Sequence, residues 1–233
     1  MSTAALLLCA GRGERLGAGV EKALAPLAGR PLFLWSLEAL ERCAAIDGIV
    51  IVGPVRKLQD VLGVTGFGPG KIVGWTEGGP ERSDSVARGL EALPPGFDHV
   101  AIHDSARALV TPELIARVVA DAVAHGAAIA AVPLEDTVKR VSLERVEETV
   151  PRAALWRAQT PQAFRRDWLE AAYAARGAPS RVARWSAAPT DDACLIERLG
   201  HAVHVSEGDP LDFKITGPRD LELAAAWLSR REG

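Results

Sequence analysis

Leu8-Cys9-Ala10-Gly11-Arg12-Gly13-Glu14-Arg15-Leu16-Gly17, followed by Lys22, is the stretch on which the fold turns. The apolar run over residues 4–10 has the length and composition of a buried first strand. It opens into closely spaced glycines. Glycine has no Cβ, so backbone N–H groups can close around an anion there. Arg15 and Lys22 add full positive charges beside that turn, which suits a polyphosphate. Two better-known glycine loops fit poorly. A P-loop needs four residues between its glycines and then Gly-Lys-Ser/Thr, and this run is missing. A dinucleotide fingerprint needs a third glycine where Leu16 stands, and no acidic residue ends a second strand at the expected distance.

Working outward, strand and helix signals alternate. Residues 31–43 read as a helix with Pro31 in its first turn. Residues 48–52 and 71–75 read as strands, and 55–62 and 81–93 as helices. Residues 100–103 form another strand. Thr111 is an N-cap, with Pro112 at N1 and Glu113 in the first turn, for a helix to about residue 124. A further buried strand covers 127–132. This order predicts an α/β fold, Rossmann-like, with a mostly parallel sheet and helices on both faces. The pattern then changes. Residues 136–149 are charged and β-branched, and read as a two-stranded ribbon turning near 142–145. A lone hairpin is marginal in water, so it is expected to lean on another subunit. Helices are read at 165–176 and 218–230, a loop at 177–189, a helix capped by Thr190 reaching about 199, and a strand at 202–205. The organisation is one domain over 1–233 with an arm inserted at about 134–155.

Composition narrows the classes. A net charge of −3 argues against nucleic acid as a partner. No apolar stretch approaches the roughly 20 residues of a membrane span, and no basic segment precedes the first apolar run as in a signal peptide. Cys9, Cys43 and Cys194 are far apart and form no C-x-x-C, so a reducing cytoplasm is expected. Arg outnumbers Lys and Asn is absent. Thermophily and a GC-rich genome both produce that bias.

In open α/β sheets ligands sit beyond the carboxyl ends of the strands. After the third strand come Gly78 and Gly79, then Ser85. They read either as donors toward a base or as a capped helix start. After the fourth comes His103-Asp104-Ser105-Ala106-Arg107. Asp104 reads either as a holder of Mg²⁺ or another divalent cation, or as an N-cap or partner of Arg107. His201 and His204, three apart on the predicted strand, would face opposite ways and share no metal. Asp191 and Asp192 read as first-turn carboxylates.

Taken together these segments resemble the 2-C-methyl-D-erythritol 4-phosphate cytidylyltransferases of the non-mevalonate isoprenoid pathway, over essentially the whole chain. The resemblance rests on Cys9 to Arg15 with Lys22, Gly78 to Val86, His103 to Arg107, Asp136-Thr137-Val138-Lys139, Leu155 to Phe164 with its Gln-Thr-Pro-Gln, Thr190 to Ala193, and Lys214-Ile215-Thr216. The chain departs from the usual pattern in three places: Glu21 and Ala23 flank Lys22, Ala108 replaces a proline, and Asp212-Phe213 replaces Asn-Ile. The resemblance implies transfer of CMP from CTP to a polyol phosphate, with Mg²⁺. It implies catalytic roles for Arg15, Lys22 and Lys214. CTP would lie on Ala10, Gly11, Gly13, Arg15, Lys22, Gly79, Ser85 and Asp104. The acceptor would be held by Asp104, Arg107, Thr160, Thr190 and Lys214, with Thr137 and Arg152 from the arm of a second subunit in a homodimer. A cytidylyltransferase for another polyol phosphate, such as ribitol 5-phosphate, shares most of these features. A non-catalytic nucleotide-binding module is the reading from another class.

Overall fold

Alternate residues of the first strand, β1 (Thr3–Leu8), feed two separate cores. Ala5 and Leu7 join one apolar cluster, whereas Ala4, Leu6 and Leu8 join the other. A strand buried on both faces is the mark of a central position in a layered α/β sheet. The computed structural model describes residues 1–11, 13, 21–68, 70–176 and 189–231. Arg12, residues 14–20 of the first loop with Arg15, and residues 177–188 of the loop predicted over 177–189 lie outside the described residues.

The chain continues through a single 3₁₀ turn at Lys22–Leu24 and two short strands, β2 (Pro26–Leu27) and β3 (Arg30–Pro31). Then follow α1 (Leu32–Arg42), β4 (Gly48–Val52), α2 (Val55–Thr65), β5 (Ile72–Thr76), α3 (Arg82–Glu91) and β6 (His99–Asp104). Next come α4 (Pro112–His125), β7 (Ala127–Pro133), β8 (Val138–Ser142), β9 (Arg145–Val150), β10 (Trp156–Arg165) and α5 (Arg166–Ala174). The described elements end with α6 (Asp192–Arg198), β11 (His204–Glu207) and α7 (Pro218–Arg231).

Seven strands form the main sheet in the order β11-β7-β10-β6-β1-β4-β5. All neighbours are parallel except β10, which runs antiparallel between β6 and β7. The predicted mostly parallel sheet is therefore present. The chain moves from β1 out to β4 and β5, then crosses to β6 on the other side of β1. The crevice between the carboxyl ends of β1 and β6 is thus the topological switch point. Leu8 and Asp104, the last residues of the two strands, lie in register there.

Core residues of α1 and α4 pack with one face of the sheet, and those of α3, α5 and α6 with the other. A third cluster of Leu27, Leu32, Leu109, Ile215 and Leu228 seats α7. Thr111 caps α4 as expected, its hydroxyl accepting from the Leu114 N–H at 3.2 Å.

Three readings need correction. No element was read over Trp156–Arg165, where β10 lies; its Gln159-Thr160-Pro161-Gln162 is polar and holds a proline, which is unusual in a central strand. The sheet accommodates the proline by a register shift between Ala158 and Gln162. The cap of α6 is Asp191, not Thr190; its carboxylate accepts from the Cys194 N–H at 3.0 Å. The last strand begins at His204 rather than 202, because Gly200 turns the chain with φ +91° and His201 stacks on Trp168.

Strands β8 and β9 pair only with each other and turn through Leu143 and Glu144, both with positive φ. Val141, Leu143 and Val146 on this ribbon are exposed. Among the described residues no helix is long and apolar enough to cross a membrane.

Candidate active site

The crevice at the switch point holds a cavity of about 230 Å³. Five separate segments supply its walls: Ala10 and Gly11 after β1, Lys22 in the 3₁₀ turn, Gly79 to Ser85 entering α3, Asp104 at the end of β6, and Lys214. The Lys22 N–H donates to the Gly11 carbonyl at 3.2 Å, which brings the lysine back beside the glycine turn.

The loop before α3 lies close to Ala10, beyond the end of β1, and to the start of α3 because Gly78 and Gly79 carry no side chain. A Cβ on Gly78 would stand 2.1 Å from the Ala10 Cβ, and one on Gly79 would stand 2.2 Å from the Asp84 Cβ. Gly78→Ala must therefore push the two walls apart. Misplacing a binding wall by about 1 Å can cost up to about 10²-fold, so kcat/KM for the nucleotide is expected to fall at least about tenfold. Steady-state kinetics against nucleotide concentration measures this; unchanged kinetics would contradict the shared wall.

Asp104 is 8% exposed and doubly paired. Its Oδ1 accepts from Arg82 Nε at 3.0 Å and its Oδ2 from Lys214 Nζ at 2.7 Å. Burial alone would raise the pKa of this carboxyl, but Arg82 and Lys214 hold it far below the usual range. It is therefore an anion at neutral pH. Arg107, the partner considered from sequence, instead donates to the carbonyls of Asp212 at 2.6 Å and Ala158 at 3.3 Å. That guanidinium fastens the Lys214 segment to β10.

Arg82 was not singled out by sequence reasoning, although it lies within the Gly78–Val86 motif. It joins two carboxylates, Asp104 and Asp192, the latter at 2.8 Å. Burial works against the Arg82 charge, yet the two carboxylates raise its pKa overall. Asp192 is wholly buried and also accepts from the Tyr173 hydroxyl. Burial pushes its pKa up, and Arg82 opposes that. A smaller cavity of about 110 Å³ adjoins the first through Glu81 and Arg82, and Thr190 and Asp191 line it.

Several expected contacts become internal braces. Ser85 Oγ accepts from the Gly79 N–H at 3.0 Å and donates to the Glu81 carbonyl at 3.2 Å, fixing the loop. Thr160 Oγ1 accepts from the Asp104 N–H at 3.1 Å and lies 3.1 Å from His103 Nδ1. The other ring nitrogen, Nε2, is 3.3 Å from the Arg107 carbonyl, which can only accept, so it carries the proton. Burial pushes the His103 pKa down to about 4, and the imidazole is neutral. Asp212 is buried beside Arg107, and burial raises its carboxyl well above the usual range. Gly13, with φ +62°, is described but does not line the cavity. Thr137 and Arg152 meet on the arm, Nη1 donating to Oγ1 at 3.2 Å, and neither lines a cavity wall here.

The donor set suits Mg²⁺. That ion takes one or two carboxylates and fills its remaining positions with phosphate oxygens and water. Asp104 is ionised, stands at the cavity wall, and keeps a second lone pair on each oxygen. Glycine walls with Lys22, Arg82, Lys214, Glu81 and Asp104 at the switch point of an α/β sheet are the parts that a nucleotidyltransferase requires.

Comparison with known proteins narrows the class. The sequence model of the 2-C-methyl-D-erythritol 4-phosphate cytidylyltransferase family matches residues 3–230. The enzyme of that name from Synechococcus sp. (strain CC9902) is 43% identical over 227 residues, 97% of each chain. The crystal structure of the Thermus thermophilus enzyme has 35% identity and a TM-score of 0.74, covering 97% of this chain and 98% of its own. That of 4-diphosphocytidyl-2C-methyl-D-erythritol synthase from Anaerococcus prevotii has 28% identity and a TM-score of 0.81, covering 98% and 99%. The chain belongs to the 2-C-methyl-D-erythritol 4-phosphate cytidylyltransferase family.

Proposed function

We propose that this chain transfers CMP from CTP to 2-C-methyl-D-erythritol 4-phosphate, with release of pyrophosphate, as a homodimer in the cytoplasm. The observation that carries the reading is the convergence of Ala10, Gly11, Lys22, Gly79, Asp104 and Lys214 on one cavity from separate segments. An oxygen of the acceptor phosphate attacks the α-phosphorus of CTP in line. The bond to the β-phosphate bridging oxygen breaks, and pyrophosphate departs with the electron pair. A phosphate monoester is largely ionised at neutral pH, its second pKa being about 6, so no general base is required. The position of His103 agrees with that: it is buried, neutral and spent on bracing Thr160 and Arg107.

The difficulty is the approach of two anions. Lys22, Lys214 and Arg15 supply positive charge around the transferring phosphoryl group. Asp104 would hold Mg²⁺, which when bound neutralises charge on the phosphate oxygens. Ala10 and Gly79 present backbone groups to the cytosine, and Ser85 fixes the loop that carries Gly79. Asp104 and Lys214 reach the acceptor side of the cavity. Thr190 lines the smaller cavity beside it, Arg107 fastens the segment that carries Lys214, and Thr160 acts by fixing Asp104. Residues 1–233 act as one nucleotidyltransferase domain, and the arm at about 134–155 crosses to a second copy. Exposed Val141, Leu143 and Val146 support that crossing, since a two-stranded ribbon needs a surface to rest on. It delivers Thr137 and Arg152 to the partner's acceptor site. Three buried thiols suit a reducing compartment.

Mixed subunits test this. Lys22→Ala and Arg152→Ala homodimers are each expected to release little pyrophosphate from CTP. Their heterodimer has one intact site, so random exchange should restore about a quarter of wild-type activity. Absence of rescue, with exchange demonstrated, contradicts the shared site.

A further inference from the structure

The far side of the molecule carries a second cluster of ligand-type side chains. Asp121 and His125 are one turn apart on α4, so both face the same way. The edge strand β11 packs against that helix. His204 and Ser206, two apart on β11, share the face that meets it. The seam is built in steps. Arg117 donates to the Glu207 carbonyl at 3.1 and 2.8 Å. Ser206 donates to Asp121 Oδ2 at 2.5 Å. His125 and His204 stack with ring centres 4.2 Å apart and planes 15° from parallel.

One ligand atom from each of Asp121, His125 and His204 lies within 4.8 Å of the others. We propose that these three side chains form a binding site for a divalent transition-metal ion of the Zn²⁺, Co²⁺ or Ni²⁺ type. Two imidazole nitrogens and one carboxylate oxygen are the donors that such ions prefer, whereas Mg²⁺ prefers oxygen alone. Metal bonds of about 2.1 Å in a tetrahedron place donors roughly 3.4 Å apart. Both imidazoles are exposed, and binding requires their rings to turn out of the present stack so that one nitrogen of each points at the ion. The carboxylate is already oriented. Ser206 is buried and occupies Oδ2, leaving Oδ1 for the ion, and this outer hydrogen bond is a regular companion of metal ligands.

The location separates this site from the nucleotide cavity. His125 precedes β7 and His204 opens β11, pairing with Ala128. The cluster is therefore at the amino ends of the parallel strands, whereas the cavity lies beyond the carboxyl ends. The ion would tie the edge strand to α4, and it is distinct from the Mg²⁺ assigned to Asp104.

The test uses untagged, chelator-treated full-length protein. Zn²⁺ binding is followed by calorimetry, and Co²⁺ binding by its visible absorption. One equivalent per chain is expected, undisturbed by millimolar Mg²⁺. Loss of an outer hydrogen bond typically weakens metal sites about 10–100-fold, so Ser206→Ala should weaken binding about tenfold, and His204→Ala or His125→Ala at least about 10²-fold. Absence of saturable binding overturns the proposal. So does binding that survives His204→Ala unchanged, because a surface histidine elsewhere would then be the ligand.

Discussion

Lys22→Ala is expected to lower kcat by at least about 10²-fold, the scale of removing one donor that stabilises charge in a transition state. The lysine stands at the wall shared by the glycine turn and Asp104, where the triphosphate of CTP would lie. Charge develops on the α-phosphoryl group and the leaving pyrophosphate as the bond breaks. A positive group fixed beside them gains most at that moment. The loss should therefore appear in kcat rather than only in KM. Lys22→Arg keeps the charge but replaces a compact ammonium with a planar fork, so only partial recovery is expected. Steady-state kinetics on folded variants measures this. Near-normal kcat in Lys22→Ala would remove the residue from the chemistry.

The second large effect concerns stability. Arg82→Ala is expected to destabilise the fold by roughly 3 kcal/mol, the lower end of the range for removing one partner of a buried ion pair. Arg82 retains 30% side-chain exposure, which keeps the cost at that end, whereas the side chain of Asp192 is 1% exposed. Without the arginine, Asp192 is a buried carboxylate with only the Tyr173 hydroxyl beside it. Adding Asp192→Asn to Arg82→Ala removes that charge and should restore part of the loss. Denaturant midpoints of the wild type, both single variants and the double variant give the coupling directly. Simple additivity would mean that the two residues do not depend on each other.

Strands β1, β4 and β7 of the parallel part were legible because they are nearly continuous apolar runs. Residues 48–52 were read with the boundaries that β4 has. The antiparallel strand was not legible. Its middle is polar and contains Pro161, and only neighbours on both sides make it central. The glycine walls of the site were visible because Gly78, Gly79 and Gly11 cluster beside basic residues. Their physical need was not, since the clash that a Cβ would make with Ala10 arises between segments almost seventy residues apart. Arg82 was missed for the same reason: its partners Asp104 and Asp192 come from a different strand and a different helix. His201 and His204 were read as two residues of one strand facing opposite ways, and the structure separates them differently. His201 lies outside β11 and stacks on Trp168, while His204 meets His125 from α4. Local spacing cannot show a pairing that only the packing of helix on edge strand creates.

The central claim is the reaction itself. Its most direct test is Mg²⁺-dependent pyrophosphate release from CTP, with 2-C-methyl-D-erythritol 4-phosphate and ribitol 5-phosphate supplied side by side. Release with the first acceptor and little with the second is the expected result. Release only with ribitol 5-phosphate, or with neither while CTP still binds, would contradict it.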